Sequence, residues 1–219
     1  AEIARRHGLY LHVDAAWAGS AMICPEFRDL WTGVEHADSI VFNPHKWLGA
    51  QFDCSIQFIR NPEEQVRTLA IHPEYLKTHG HDGIVNYSEW TVPLGRRFRA
   101  LKLWFLLRHH GLAGLRRMIR NHVAWSRRLA ERLRAEPDFE IVTEPVLSLF
   151  SFLHKAAAAD SDAHAIALVN AINDDGRIYL TQTRVADRVA IRFQAGQFDM
   201  TEEDADTAFA VITEIARRL

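Results

Sequence analysis

Three short apolar runs, each closed by a polar residue or a turn, constrain this chain more than anything else in it. Leu9-Tyr10-Leu11-His12-Val13 ends at Asp14, Ser39-Ile40-Val41-Phe42 ends at Asn43-Pro44, and Cys54-Ser55-Ile56-Gln57-Phe58-Ile59 ends at Arg60. None alternates strictly between polar and apolar, and segments of helical length separate them. They therefore read as strands buried on both faces of a sheet in an α/β layer. Ligands in such sheets sit at strand ends, which makes Asp14 and the residues after Phe42 the first candidates for chemistry.

Composition narrows the class. At 219 residues the chain has room for one large domain or two small ones. Hydrophobic residues make up 48% and charged residues 25%, and no run of about 18 apolar residues occurs, so disorder and a membrane span are not expected. A net charge of −2 leaves no electrostatic footprint for nucleic acid or an anionic membrane. Cys24 and Cys54 have no CxxC spacing, and no signal-peptide pattern opens the chain, so a reducing cytoplasm is the expected location. The chain opens on Ala1, and residues 1–7 read as the last turns of a helix closed by Gly8, which marks the sequence as a fragment of a longer protein.

Beyond the third run, residues 68–92 carry His72, His79 and His81 with Pro73, Gly80 and Gly83 and little periodicity, the pattern of a long, mobile, functional loop. Helical spacing returns at 96–110 and 112–134. Strands are predicted at 139–142, 147–154, 178–183 and 189–193, and helices at 161–174 and 202–218, the last with Thr201 as N-cap before acidic residues. The boundary between an α/β unit and an α+β unit falls near 100–115.

Chemistry that needs a nucleophilic amine has four candidates, Lys46, Lys77, Lys102 and Lys155. Lys46 follows a strand pattern and precedes Trp47; held against apolar surface it would lose hydration and present a free amine for imine chemistry. A surface lysine that snorkels fits its position equally well. Asp14 ends the preceding strand and is followed by Ala15 and Ala16, which leave room for something flat. A buried carboxylate there requires a cationic or donor partner, and a pyridinium nitrogen is one, although an isolated aspartate more often caps a segment or pairs with arginine. His79-Gly80-His81-Asp82 has ligand types suited to a transition metal but no distant third-ligand motif, so no metal is assigned. Arg96-Arg97-Phe98-Arg99 and Arg116-Arg117 read as structural ion pairs or a subunit interface rather than a nucleic-acid stripe, and His109, His110 and His122 as structural histidines. Among the six tryptophans, Trp47 is the one placed to stack on a ligand.

Together, His12-Val13-Asp14-Ala15-Ala16-Trp17-Ala18-Gly19, Asn43-Pro44-His45-Lys46-Trp47, Phe52-Asp53-Cys54 and Pro93-Leu94-Gly95-Arg96-Arg97-Phe98-Arg99 closely resemble the group II pyridoxal-phosphate-dependent amino-acid decarboxylases, most nearly those acting on aromatic L-amino acids. The resemblance spans essentially the whole chain. It implies the type I fold of this cofactor class, with residues 1–101 as part of the large cofactor domain, including the mobile loop, and 102–219 as the complete C-terminal small domain. It implies pyridoxal 5′-phosphate as cofactor, an amino acid as substrate and a homodimer that shares its cofactor sites across the interface. Lys46 would carry the cofactor as a Schiff base, Asp14 would pair with the pyridine nitrogen, Ala16 would pack on the ring, and Asn43 and His45 would surround the phosphate and the lysine. Tyr75 matches the loop tyrosine that reprotonates the substrate carbon, where the aldehyde-forming branch carries Phe. Gly95 matches a glycine that reaches the neighbouring subunit's site and accompanies indole-type substrates in plant relatives. Family members are much longer, so this chain alone would be inactive. Decarboxylation of histidine or glutamate, or a non-catalytic half-chain that only dimerises, are the alternatives.

Overall fold

In the computed structural model, which describes residues 1–71, 85–155 and 161–219, one long helix joins two sheets. The first sheet holds β1 (His12–Asp14), β2 (Ser39–Phe42) and β3 (Ile56–Ile59) in the order β1-β2-β3. β1 and β2 run parallel, with Asp14 opposite Val41, and β3 returns antiparallel, with Ile56 opposite Phe42. A short helix α1 (Glu2–Arg6) leads in and stops at Gly8, whose φ of 62° lies in the left-handed region.

Two expectations are corrected here. The segment between β1 and β2 forms three 3-10 segments, Ala18–Ile23, Pro25–Trp31 and Val34–His36, rather than an α-helix. Pro25 removes a donor at the start of the second, and Gly33 at φ 91° turns the chain before the third. The strands are also not buried on both faces: His12, Asp14, Gln57 and Phe58 are exposed. Among the described residues, the helical segment with substantial packing on these strands is Ala18–Ile23, against β2, which leaves Phe58 57% exposed.

α2 (Pro62–Leu69) follows β3, with proline at its first position. Thr68 and Leu69 thus belong to a helix, Tyr87–Glu89 forms one 3-10 turn capped by Asn86, and residues 72–84 of the expected loop lie outside the described residues. α3 (Arg99–Ala135) is one helix interrupted at Gly111, where φ 64° and ψ 165° break the helical path as the two expected helices require. Beyond the break it serves two cores in turn. Leu115, Ile119 and Val123, spaced four apart, pack with Ala21, Cys24, Trp47, Leu48 and Leu147. Leu129, Ala130 and Leu133 pack into the second core.

That core covers an antiparallel sheet of β4 (Phe139–Val146), β5 (Leu149–His154), β6 (Thr181–Val185) and β7 (Arg188–Gln194) in the order β4-β5-β7-β6. α3 through Leu133, α4 (Ser161–Asp175) through Leu168 and Ile172, and α5 (Glu202–Ala216) through Ile212 pack on it against Phe150, Phe152 and Ile191, all fully buried. β6 begins at Thr181 instead of 178 because Asn173 occupies the preceding backbone: its Oδ1 accepts from Leu180 N–H at 2.8 Å and its Nδ2 donates to Leu180 C=O at 3.0 Å. α5 opens with a reciprocal capping box between Thr201 and Asp204.

Candidate active site

Parallel pairing of β1 and β2 brings both strand ends to one edge, and the chain stays stitched beyond them. Ala15 N–H donates to Val41 C=O at 2.9 Å, and Asn43 N–H donates to Ala16 C=O at 2.8 Å. Asp14, Ala16 and Asn43 therefore share this edge, and Lys46 lies on the turn that leaves it. Lys46 N–H donates to Asn43 C=O at 2.9 Å, Ala50 N–H to Pro44 C=O at 3.0 Å, and Gly49 N–H to Lys46 C=O at 3.2 Å, so successive backbone bonds hold the turn.

Both central groups are exposed, which departs from the buried carboxylate read at Asp14 and agrees with the surface reading of Lys46. Asp14 is exposed; its Oδ1 accepts from Ala16 N–H at 3.0 Å, which orients the carboxylate and leaves Oδ2 for another donor. Asp14 also lines a groove of about 510 Å³ together with Val13, Ala15, Ala18, Met22 and Trp31. Lys46 is exposed too, and the side chain sunk at this turn is Trp47, which has no exposed surface. Trp47 is thus not placed to stack on a ligand, as expected from its position, but stacks on Trp17 with ring centroids 4.0 Å apart and planes 6° apart.

His45 Nδ1 lies 2.9 Å from Cys54 C=O and 3.0 Å from Cys54 N. One nitrogen serves only one of these at a time, donating to the carbonyl or accepting from the amide, and in both cases Nε2 stays available. Phe52 meets the His45 ring edge-on at 4.8 Å. Asn43 is half-buried, and its Oδ1 is buried with no hydrogen-bond partner, which marks a place where a bound group would complete the set.

Gly95 lies elsewhere. It is exposed, with open space around the position of a Cβ, on a groove of about 470 Å³ also lined by Asp53, Ser55, Tyr87, Trp90 and Arg99. Arg99 Nε and Nη2 both reach Asp53 Oδ2 at 3.0 Å, and this guanidinium holds the Asp53 carboxyl below the usual carboxylate range. Tyr75 lies outside the described residues, as do His79, His81 and Asp82. His109 and His110 are exposed.

The sequence missed one partner of the site. His122 of α3 is fully buried and accepts a hydrogen bond from Trp47 Nε1–H at 2.9 Å, the two rings lying side by side with planes 8° apart. Burial pushes its pKa down to about 4, so the ring is neutral at physiological pH. Helical periodicity marks His122 only as inward-facing, and nothing in the sequence pairs it with residue 47.

With this geometry in view, residues 1–155 match the family model described as the pyridoxal-dependent decarboxylase conserved domain. The chain belongs to the pyridoxal-dependent decarboxylase family. The chain is 40% identical over 217 residues to the aromatic-L-amino-acid decarboxylase of Mus musculus, covering 98% of this chain and 44% of that protein. The structure of Oryza sativa TDC with PLP and tryptamine matches it with a TM-score of 0.93 at 36% identity, over 99% of this chain and 46% of that one. Rhodiola rosea 4-hydroxyphenylacetaldehyde synthase matches with a TM-score of 0.88 at 32% identity, over 100% and 45% respectively. The chain thus spans less than half the length of the relatives it matches, and its α/β architecture is the expected type I fold of the group II decarboxylases. The edge fits the family's cofactor: an oriented carboxylate with a free oxygen, a lysine amine on a fixed turn, an available histidine nitrogen and an unpartnered buried amide oxygen. No helix of the described residues is long and apolar enough to cross a membrane.

Proposed function

We propose that the complete protein decarboxylates an aromatic L-amino acid to its amine and CO2 with pyridoxal 5′-phosphate as cofactor. The observation that carries this reading is the placement of Asp14 and the Lys46 turn on paired strand ends. It is supported by 40% identity to an aromatic-L-amino-acid decarboxylase. When bound, the cofactor supplies an electron sink for the pair left behind by departing CO2.

The chain's own residues do the rest. Lys46 Nζ is the amine that would hold the cofactor covalently and would be free to release it to a substrate amine. Its exposed position leaves Nζ accessible, and the hydrogen-bonded turn fixes where it starts from. Asp14, through the oxygen that Ala16 N–H does not engage, keeps a proton on the pyridine nitrogen. Each pK unit of that preference is worth about 1.4 kcal/mol, so Asp14→Asn should lower kcat more than it raises KM. Ala16, with only a methyl group, leaves room for the ring, while Asn43 and His45 bind around the phosphate and the lysine. Tyr75 donates its phenolic proton to the substrate carbon once the carbon–carboxylate bond has broken. Gly95 serves the neighbouring subunit's site in a cytoplasmic homodimer, with 1–101 as the cofactor-domain part and 102–219 as the small domain. Residues 1–219 by themselves are expected to be inactive.

Amine-product screening of the complete protein against tryptophan, phenylalanine, tyrosine, dihydroxyphenylalanine, histidine and glutamate tests the reading. Aromatic amines are the expected products, and turnover of histidine or glutamate alone would refute the aromatic assignment. Borohydride reduction followed by peptide mapping should place the cofactor on Lys46 and lose the label in Lys46→Ala. The similarity to an aldehyde synthase supplies a second readout. Tyr75→Phe should shift product from amine toward aldehyde, and unchanged amine yield and purity would remove Tyr75 from its role.

A further inference from the structure

Trp17 lies three residues after Asp14, and Trp47 one residue after Lys46, so their stack at 4.0 Å ties the two motifs together through side chains as well as backbone. His122 meets the N–H edge of Trp47, with ring centroids 6.4 Å apart and near-parallel planes. Its Nδ1 accepts from Trp47 Nε1–H, which places the imidazole proton on Nε2, a buried nitrogen without a hydrogen-bond partner, so the pair satisfies the indole at the expense of the imidazole. Trp47, His122 and the neighbouring Leu115, Ile119 and Val123 have almost no solvent exposure, so no water substitutes for this bond. A buried indole N–H without an acceptor is costly, and His122 supplies the acceptor, on a helix 75 positions along the chain.

From this geometry we propose that His122 is a positioning residue. By accepting the N–H of Trp47, whose face stacks on Trp17, it fixes the Lys46 turn relative to Asp14 and so sets how firmly the cofactor is held on Lys46. The inference rests on the assignment of Lys46 and Asp14 above. The immediate neighbour of Lys46 is anchored from α3, whereas Lys46 itself is exposed and gains no such anchor of its own. Low basicity of the buried ring keeps the acceptor in place across the neutral range.

The test uses the complete holoenzyme and reads cofactor retention rather than turnover: the pyridoxal 5′-phosphate concentration that gives half-maximal borohydride-trapped label on Lys46, measured by peptide mass. His122→Phe keeps ring volume but removes the acceptor, and is expected to raise that concentration about tenfold. His122→Asn, whose amide oxygen falls near the Nδ1 position, should restore most of the loss. Trp47→Phe removes the donor from the other side; it should match His122→Phe, and the double variant should lose no more than either single one. Leu129→Ala, buried in the other core on the same helix, controls for lost stability and should retain label as the wild type does.

Wild-type retention in His122→Phe, failure of His122→Asn to recover, additive losses in the double variant, or an equal loss in Leu129→Ala would each overturn the positioning role while leaving Lys46 as the cofactor lysine. Absence of label on Lys46 in the wild type would instead overturn the cofactor assignment, and this inference with it. If His122→Phe does not fold, the Trp47→Phe and His122→Asn pair decides.

Discussion

The two cores that share α3 are built on different terms. Around the four-stranded sheet, Phe150, Phe152, Leu168, Ile172, Ile191 and Ile212 are fully buried, and three helices cover the strands. Around the three-stranded sheet the strands are three or four residues long, the core is a smaller set centred on Trp47, and Phe52 and Phe58 stand 77% and 57% exposed. One region closes on itself; the other spends its chain on presenting strand ends and leaves apolar surface of the kind that marks an interface. The burial of this sheet is unfinished within a chain that spans less than half the length of the relatives it matches.

The largest effect that bears on this difference is expected at Phe152. Phe152→Ala empties a fully buried ring site between β5 and the helices and should cost roughly 3–5 kcal/mol in denaturant unfolding. Phe58→Ala, on the open sheet, should cost less than about 1 kcal/mol. Similar losses at the two positions would break the contrast between a closed and an open core.

A smaller effect probes the seam where the regions meet. Gly49, in the turn after Lys46, has φ 73°, and a Cβ there would lie 2.1 Å from Phe198 Cδ2, so the ring of the segment before α5 is seated directly on the glycine backbone. Gly49→Ala is expected to cost roughly 2–3 kcal/mol, combining left-handed backbone strain with the clash. In the double variant with Phe198→Ala the clash part should be recovered and the backbone part should remain. Full recovery would show that the backbone carries none of the cost.

These positions also show what the sequence could and could not reveal. Apolar runs closed by Asp14 and Asn43 located the strand ends, and helical spacing over 96–110 and 112–134 located the break in α3, because each is a local signal of period or polarity. The 3-10 path of Ala18–Ile23 was not legible, since Ala-Gly-Ser-Ala-Met-Ile carries no periodicity to read. The start of β6 shifted because a side chain, Asn173, competes for the backbone of Leu180, which strand propensity does not register. At the site, residue types pointed to Asp14 and Lys46, but their exposure depends on what packs over them. The His122 contact depends on how α3 docks against a turn 75 positions earlier. Contacts of that range belong to the assembled fold.

Within the closed region a modest effect is expected at the start of α5. Thr201 Oγ1 accepts from Asp204 N–H, and Asp204 Oδ2 accepts from Thr201 N–H at 2.7 Å. Thr201→Ala should cost about 1 kcal/mol of stability and leave borohydride labelling of Lys46 unchanged, since the cap lies in the core that the site does not use. A change in labelling would couple the two regions more tightly than their separate packing implies.

The smallest effect concerns how α3 holds the open region at its surface. Arg120 Nε meets Glu26 Oε1 at 2.5 Å, and Nη2 meets Oε2 at 3.1 Å, a two-pronged pair between α3 and the Pro25–Trp31 segment. Hydrogen bonding to that guanidinium holds the Glu26 carboxyl down at about 2, against 4.5 when unperturbed. Because the folded-state pKa is the lower one, the contribution of Glu26 is fully present above about pH 4.5 and is lost as pH falls from there toward 2. The pair is solvent-exposed, so the effect is small and screened by salt. Glu26→Gln cannot titrate, and its urea midpoint should fall less steeply than the wild type's between pH 4.5 and 2, with the difference shrinking at high salt. Identical acid slopes for the two proteins would mean that this pair does not anchor the segment, leaving the Leu115, Ile119 and Val123 packing as the hold of α3 on the open region.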